Sequence, residues 1–301
     1  MNLRDLEYFE KIAELESVGA AALAVHRTQP ALTTCIRRLE EDCGARLLER
    51  SGRGIKLTDA GRTLLRWASH IRLVVGDAQR EITQVGKGLT GTVKLGIAPT
   101  AAYISLPNVV ARLFEETPEI KLQVTVGVVD SLTSMLTAGE IDIMVATERF
   151  SSASLVTQPI LDDQIVVVAC KNHPIFTGSS DLRRLSEYRW VLEAEESPTR
   201  QWLEACFKKN LLGPLNVQME INIPTMLPQL IQDTLHLGFI SRRQLEAIEN
   251  RAVLKEFRSA SSTMARRLAV SYLQERYRSP ATERVVDIFS DVGSSRVKTQ
   301  G

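Results

Sequence analysis

The chain has 301 residues, of which 44% are hydrophobic and 24% are charged, a composition typical of globular proteins with substantial apolar cores. This length predicts two or three structural units rather than one small domain. No apolar run approaches the length of a membrane span, and the acidic, amphipathic start lacks the features of a signal peptide. We therefore expect a cytoplasmic protein that does not enter membranes. The formal net charge of +1 gives no support of its own to nucleic-acid binding.

A helix-turn-helix is predicted near the start of the chain, after a first helix over 3–16 whose outer face is acidic. An alanine-rich helix begins near Val18 and breaks at His26. A second helix follows, with Thr28 as its capping residue and Pro30 in its first turn, and it ends at Gly44. One side of this second helix is an apolar stripe. The other side holds side chains that can bond phosphates or base edges: Gln29, Thr33, Thr34, Arg37 and Arg38. This pattern indicates that the second helix reads DNA.

The local charge distribution supports this interpretation. Residues 27–56 include seven basic and four acidic residues, whereas residues 1–26 include two basic and five acidic ones. A local basic surface on a nearly neutral protein favours a DNA reader over a general binder of polyanions.

A two-stranded wing is predicted over 50–57, where Gly52 and Gly54 allow a turn. Arg50 lies at its start and Arg53 at its tip, where an arginine is placed to contact a phosphate or the minor groove. A solvated basic loop is the alternative.

A long helix is predicted from Thr58–Asp59, which cap it, to about Lys87. Its apolar residues repeat every seven positions in two series: Leu64, Ile71, Ala78 and Val85, and Ala68, Val75 and Ile82. Three heptads of this kind predict a coiled coil between two copies of the chain. A single amphipathic helix on its own core is the weaker alternative, because no further small domain remains to receive it. A dimer would place two reading helices on a pseudo-palindromic site in successive major grooves.

Beyond a hinge at 88–91, the pattern changes to alternating strands and helices, which predicts parallel α/β units. The first block is expected to contain strands at 92–98, 121–129 and 141–146 and helices at about 106–117 and 131–138. The second block is expected to contain strands at 165–170, 217–221 and 237–240 and helices at about 199–209 and 226–234. A strand at 267–273 and a helix at 280–289 close the chain.

Several segments resemble the DNA-binding signature of LysR-type transcriptional regulators: Gln29–Leu32, Leu39–Glu40, Gly44, Leu47–Arg50 and Leu57–Gly61. Two positions depart from that pattern. Glu16-Ser17 stands where the family often has Gly-Ser, and Val25 replaces a usual Leu; both changes are compatible with the fold. The later part of the chain resembles the effector domain of the same family in the order of its elements, in Gly139–Asp142 and in Leu237–Ile240.

The resemblance implies an α/β fold with an N-terminal all-α winged helix-turn-helix and a C-terminal two-lobed, periplasmic-binding-protein-like (type 2) effector domain. The expected boundaries are 1–58 for the DNA-binding domain, 59–87 for the dimerisation helix, 88–91 for the hinge and 92–301 for the effector domain. Lobe I would comprise 92–161 and 267–301, and lobe II would comprise 162–266.

The implied function is that of a bacterial regulator that binds double-stranded DNA and senses a small organic effector, which we expect to be anionic. It would act as a homodimer within a homotetramer. The candidate DNA-binding residues are Thr28, Gln29, Pro30, Thr33, Thr34, Arg37, Arg38, Arg50 and Arg53.

In such a fold the effector lies between the lobes, where strand carboxyl ends and helix N-termini present backbone N–H groups that favour anions. The candidate effector-binding residues are Thr100, Ser131, Arg149, Ser197, Thr199 and Asn222. The resemblance favours Thr100, followed by the loop at Ser197–Thr199. Each hydroxyl has an equally good interpretation as a helix cap without a ligand role, and Arg149 has one as a surface residue.

No metal, cofactor or enzymatic reaction is indicated. The four cysteines lack metal-binding spacing, the four histidines are scattered, and the chain lacks the common motifs of hydrolases, nucleotide-binding enzymes and metalloproteases. We expect reduced thiols, although a redox pair of Cys170 and Cys206 remains open. Two other classes also remain open: a small-molecule-binding protein or enzyme with an accessory helical domain, and an architectural DNA binder with a vestigial sensor.

Overall fold

The computed structural model describes residues 1–51, 54–84, 89–148, 154–177, 181–247 and 252–295. The chain divides into two compact units, Met1–Gly86 and Lys87–Gly301. Within the described residues, no helix combines the length and the apolar character needed to cross a bilayer.

Unit 1 is a helical domain with a small hairpin. Its elements are α1 (Leu3–Leu15), α2 (Val18–Ala24), α3 (Gln29–Cys43), the antiparallel strands β1 (Leu48–Ser51) and β2 (Gly54–Leu57), and α4 (Asp59–Gln84). The Ser17 hydroxyl caps α2 by accepting a hydrogen bond of 3.2 Å from the backbone N–H of Ala20. Gly44 ends α3 in the left-handed region, with φ at 65°, as its position in the sequence predicts.

The core of unit 1 lies where its four helices meet. Phe9, Ile12, Leu32 and Leu39 are fully buried there, because each lies on the apolar stripe of α1 or α3. Gly61 allows α4 to pass close to the backbone of Leu47, just before β1, since a Cβ at this position would lie 2.1 Å from the carbonyl oxygen of Leu47.

The predicted coiled-coil seam is wrong in its first heptad. Leu64 and Ala68 are buried in the core of unit 1, and Ile71 packs against the same core. The helix therefore has a domain to receive it, which is the helical domain that precedes it. Further along α4, Val74 and Ile82 are 51% and 72% exposed. Val85 and Lys87, the predicted end of the seam and of the helix, lie outside the described residues.

Unit 2 contains a mixed sheet flanked by helices. Its strands are β3 (Gly91–Ile97), β4 (Ile120–Val126), β5 (Ile143–Thr147), β6 (Leu155–Cys170), β7 (Arg189–Leu192), β8 (Val217–Glu220), β9 (His236–Ser241), β10 (Leu254–Glu256) and β11 (Met264–Leu273). Its helices are α5 (Pro99–Glu116), α6 (Val129–Ala138), α7 (Pro198–Lys209), α8 (Leu227–Ile231), α9 (Arg242–Leu245) and α10 (Pro280–Ser295). Within the described residues these strands have the order β4-β3-β5-β11-β6-β9-β7-β8, with β10 beside β6.

Two long antiparallel strands join the lobes of unit 2. In lobe I, β3 pairs in parallel with β4 and β5, and in lobe II, β7 pairs in parallel with β8 and β9. Strand β11 pairs with β6 from Met264 opposite Ile165 to Leu273 opposite Leu155, so both strands pass from one lobe to the other. Helix α10 packs against the core of lobe I, as the predicted return of the chain requires.

Several predicted elements differ in their bounds, among them the final helix, which runs to Ser295 rather than 289. Helix α5 begins at Pro99 rather than Leu106, because proline suits a first helical position and the residues after it face the lobe I core. Strand β6 begins at Leu155 rather than Ile165, since it already pairs in lobe I. Helix α8 ends at Ile231 rather than Thr234, whose N–H closes a tight turn on the Ile231 carbonyl.

Candidate nucleic-acid interface and effector cleft

Helix α3 presents a polar face to solvent. Gln29, Thr33 and Arg37 are exposed and follow each other at intervals of four residues, which places them on one side of the helix. The hydroxyls of Thr33 and Thr34 donate to the carbonyl oxygens of Gln29 and Pro30, both at 3.0 Å. These hydroxyls can accept from a base N–H as they stand, but can donate to a phosphate only by breaking the bond within the helix.

Thr28 occupies the N-cap position, but its side chain makes no capping hydrogen bond, contrary to the sequence prediction. Its ψ of 146° keeps the residue extended, and Pro30 lies in the first turn of the helix. The N–H groups of the first turn of α3 therefore have no side-chain acceptor from Thr28. A helix N-terminus in this state is suited to receive a phosphate.

Two adjacent arginines of α3 have different environments. The Arg37 side chain is 74% exposed and its nearest acidic partner is Glu41, at 3.6 Å on the same helix. Arg38 instead donates from Nε to Oδ2 of Asp5 at 2.8 Å and joins α3 to α1. The structure therefore groups Arg37, and not Arg38, with the free polar face.

Asp5, which was not predicted from the sequence, is the buried partner of Arg38. Its side chain is 3% exposed. Burial opposes its ionisation, but the hydrogen bonds from Arg38 and from the Cys35 thiol, together with the Arg38 charge, lower the pKa of Asp5. The sequence could have indicated that Asp5 is buried, because Asp5 precedes Phe9 by four residues and Ile12 by seven and so belongs to the buried stripe of α1.

The hairpin beside α3 carries Arg50, which is exposed on β1. Arg53, predicted at the tip, lies outside the described residues. Glu40 connects the hairpin to α3, since its Oε1 accepts from the backbone N–H of Leu47 at 2.8 Å. This contact orients the hairpin relative to α3.

In unit 2, the starts of three helices follow the carboxyl ends of parallel strands. Helices α5, α6 and α7 begin after β3, β4 and β7, and none of the three has a side-chain capping hydrogen bond. Thr100 lies in the first turn of α5 and is half-buried. Ser131 is the third residue of α6 and exposed, so it does not cap that helix as predicted; Val128 holds the N-cap position.

A polar cluster lies at the strand ends of lobe II. The Ser197 hydroxyl donates to the carboxylate of Glu193, the residue after β7. Arg200, whose side chain is 8% exposed, contacts the Glu193 carbonyl oxygen at 3.2 Å, Glu220 at 3.3 Å and Glu204 at 2.6 Å. The buried guanidinium therefore ties the ends of β7 and β8 to the start of α7.

Of this cluster, Ser197 was predicted from the sequence, whereas Glu193, Arg200 and Glu220 were not. Arg200 precedes Leu203 and Phe207, both buried, by three and seven residues, so its place on the apolar stripe of α7 was a usable signal.

The other predicted effector residues are spread over the same edge. Thr199 lies in the first turn of α7, and Asn222 is exposed beyond β8, just before the 3-10 turn at Pro224–Met226. Arg149 lies outside the described residues. Helix α5 of lobe I packs against this 3-10 turn and against α9 of lobe II, so the two lobes meet beside the predicted site.

The described cysteines are all free thiols. Burial raises the pKa of Cys35 to about 12 and also raises the pKa of Cys206, whose thiol donates to the carbonyl oxygen of Ser261 at 2.8 Å. Neither thiol is activated. Among the described side chains, no three of the His, Cys, Asp and Glu type lie together in a manner that suits a metal ion.

Family models match both units. The model described as the bacterial regulatory helix-turn-helix protein, lysR family, matches residues 3–62, and the LysR substrate binding domain matches residues 86–294. The chain belongs to the LysR family. This LysR-type protein is a DNA-binding transcriptional regulator, with an N-terminal winged helix-turn-helix and a C-terminal effector domain of the type 2 periplasmic-binding-protein-like fold.

Curated relatives agree with this assignment, and solved structures share the fold. The chain is 33% identical to the nitrogen assimilation regulatory protein Nac of Klebsiella aerogenes over 69% of this chain and 68% of Nac. It is 28% identical to the RuBisCO operon transcriptional regulator of Allochromatium vinosum over 82% and 81% of the two chains. A full-length OxyR variant from Pseudomonas aeruginosa shares the fold with a TM-score of 0.65 at 21% identity, covering 97% of both chains. Full-length CbnR, solved with its target DNA, has a TM-score of 0.65 at 21% identity, covering 97% of this chain and all of CbnR.

Proposed function

We propose that this LysR-type regulator binds a pseudo-palindromic DNA site as a homodimer, within a homotetramer, and changes its DNA contacts when a small organic effector binds in unit 2. The observation that carries the DNA-binding part is the exposed polar face of α3 next to an N-terminus without a side-chain cap. A role on DNA implies that the protein acts in the cytoplasm.

Each α3 would lie in a major groove with its N-terminal half against the base edges. Gln29 can form a bidentate contact with adenine and Arg37 one with guanine, each worth about 1–3 kcal/mol of discrimination. Thr28, Pro30, Thr33 and Thr34 would line the groove beside them. Arg50, together with Arg53, would contact the phosphate backbone and make affinity fall steeply with salt.

The proposed dimer rests on the exposed apolar side of α4. Trp67, Val74 and Ile82 are 57%, 51% and 72% exposed, although the residues beside them pack into the core of unit 1. Covering these side chains with the same helix of a second copy would remove apolar surface from water. The tetramer is proposed from the resemblance to LysR-type regulators.

We place the effector at the starts of α5, α6 and α7, where Thr100, Ser131, Ser197 and Thr199 lie. A carboxylate there would be held by backbone N–H groups rather than by arginine, because the one described arginine of the cluster, Arg200, is already engaged by three oxygens. Acidic side chains also lie at this edge: Asp130, Glu148, Glu193, Glu195, Glu196 and Glu220. They favour an effector with a single carboxylate over one with several. Asn222 and Arg149 complete the proposed set.

Footprinting on the DNA that flanks the gene of this protein tests both parts of the proposal. We expect a protected pseudo-palindrome in low salt, loss of that protection with Arg37→Ala, and a change in the protected span with one small monocarboxylic acid. Absence of protection at low salt would refute the DNA-binding part. If no organic acid changes the protected span, the DNA-binding part of the proposal would remain supported and the effector-binding part would be contradicted.

A further inference from the structure

A large groove lies on lobe II, next to the strands that join the lobes. It consists of two adjoining cavities of about 1260 Å³ and 800 Å³, which share Gln164, Arg242, Glu246 and Ala265 in their linings. None of the described residues proposed for the effector lines either cavity. We call this feature the lobe II groove.

The acidic residues of the lobe II groove are engaged within the protein. Glu256 accepts from Arg242 at 2.7 Å, Asp163 lies 2.8 Å from Arg266, and Asp162 lies 2.9 Å from Arg267. Glu148 also lies 3.7 Å from Arg267. Glu246 likewise makes a polar contact of its own.

Three basic residues of the same groove have no acidic partner among the described residues. Arg243 donates only to the backbone carbonyl oxygen of Asp162, at 3.1 Å. The Lys255 ammonium lies 4.7 Å from the centre of the Phe176 ring, and Arg258 is exposed. The lining as a whole has six basic and five acidic residues. The charge available for a ligand is therefore positive, because the free groups are cations and the acids are occupied.

The floor of the lobe II groove is apolar. Ile175, Leu245, Leu254 and Phe257 are at most 8% exposed, and Phe176 is half-buried beneath Lys255. Apolar side chains of a ligand can be received between the free cations, as at the centre of a protein interface with a polar rim.

The dimensions favour a chain segment over a small molecule. Sites for small molecules usually enclose about 300–1,000 Å³, and the larger cavity alone exceeds this range. An extended ligand can also reach from Lys255 and Arg258 in one cavity to Arg243 in the other, which a single carboxylic acid cannot do.

We propose that the lobe II groove binds an acidic peptide segment of a partner protein, with aliphatic or aromatic side chains against the floor and carboxylates on Arg243, Lys255 and Arg258. None of the described residues proposed to bind DNA or the effector lines this surface. Glu148 of lobe I and Arg243 of lobe II both line it, so a change in the angle between the lobes would alter its shape.

Selection from a random peptide library displayed on phage, against the full-length protein, tests the proposal. Arg243→Glu/Arg258→Glu serves as the variant, because both side chains lack acidic partners and neither is buried. Arg183→Glu/Lys208→Glu makes the same change of charge at two exposed positions of lobe II outside the groove. Retained operator binding shows that each variant is folded.

We expect enriched peptides that combine Glu or Asp with Leu, Phe or Trp. By fluorescence anisotropy, their affinity should fall with salt, decrease about tenfold or more in Arg243→Glu/Arg258→Glu, and stay within about twofold in the control.

Enrichment of peptides without acidic residues, failure to enrich any peptide, or equal affinity for both variants would overturn the proposal. Full competition by a small dicarboxylate would assign the groove to a small molecule. A change in oligomeric state of the groove variant without peptide would assign it to a second copy of the chain. Either result would also overturn the proposed occupant.

Discussion

The two neighbouring arginines of α3 allow DNA contact and fold stability to be separated by single substitutions. We expect Arg37→Ala to weaken DNA binding and leave stability unchanged, since the Arg37 side chain is 74% exposed and its ion pair with Glu41 is long. We expect Arg38→Met to do the reverse, because it removes the guanidinium from the buried carboxylate of Asp5.

The magnitude for Arg38→Met follows from the environment of the pair. Loss of a hydrogen bond to a charged group costs about 1–3 kcal/mol. Half of the Arg38 side chain is in water, and Asn2 still donates to Asp5 at 2.9 Å, so the lower part of that range applies. A loss of about 1–2 kcal/mol would raise the open population of α1 and α3 by about 5- to 30-fold.

Hydrogen exchange of the full-length protein, read by mass spectrometry on peptides from α1 and α3, measures this local opening without requiring two-state unfolding of the whole chain. Gel-shift titration on the operator measures DNA affinity for both variants. Asp5→Asn in the Arg38→Met background should restore part of the lost protection, because it removes the unpaired charge.

The effect should also depend on pH in a defined direction. The folded-state pKa of Asp5 is lowered, so the stability that this group contributes is present above its unfolded pKa of about 4 and is lost as pH falls through the lower, folded value. The difference between wild type and Arg38→Met should therefore be largest near neutral pH and shrink in acid. Unchanged exchange in Arg38→Met, or a loss of DNA affinity in Arg38→Met equal to that in Arg37→Ala at unchanged exchange, would refute the division of roles.

Three further outcomes are expected. Val74→Asp should shift the protein toward monomers in sedimentation velocity, whereas Gln79→Asp, which is exposed on the other side of α4, should not; equal behaviour would contradict the dimer surface. Thr100→Val should reduce the effector response in a reporter assay while gel-shift affinity stays normal, and a full response would remove Thr100 from the site. Gly61→Ala should cost about 1–3 kcal/mol because the new methyl meets the Leu47 carbonyl, whereas Gly76→Ala, with open space, should stabilise α4 by about 0.4–1 kcal/mol; chemical denaturation that ranks them otherwise would contradict this packing.

Local patterns were enough to identify the elements that we propose to contact DNA. The spacing of Leu32, Ile36 and Leu39 determines which side of α3 is buried, and that side determines which residues remain free. Helix ends at Ser17 and Gly44 were readable for the same reason, because capping depends on a few neighbouring residues.

The roles of individual charged residues were harder to predict from the sequence. Arg37 and Arg38 are equally polar in the sequence, and only the approach of α1 assigns Arg38 to Asp5. Arg200 could have been singled out by its place on an apolar stripe, but its contacts with Glu193 and Glu220 require β7 and β8 to be neighbours.

The sequence alone therefore determined the order of the elements, the face of α3 that stays polar and the family of the chain, because these depend on short-range periodicity and spacing. Tertiary structure decided which heptad positions of α4 are buried in its own domain, which of Arg37 and Arg38 has no buried acidic partner, and where the lobe II groove lies. Those properties depend on contacts between residues far apart in the chain, such as Asp5 with Arg38 and Asp163 with Arg266, and no local pattern specifies them.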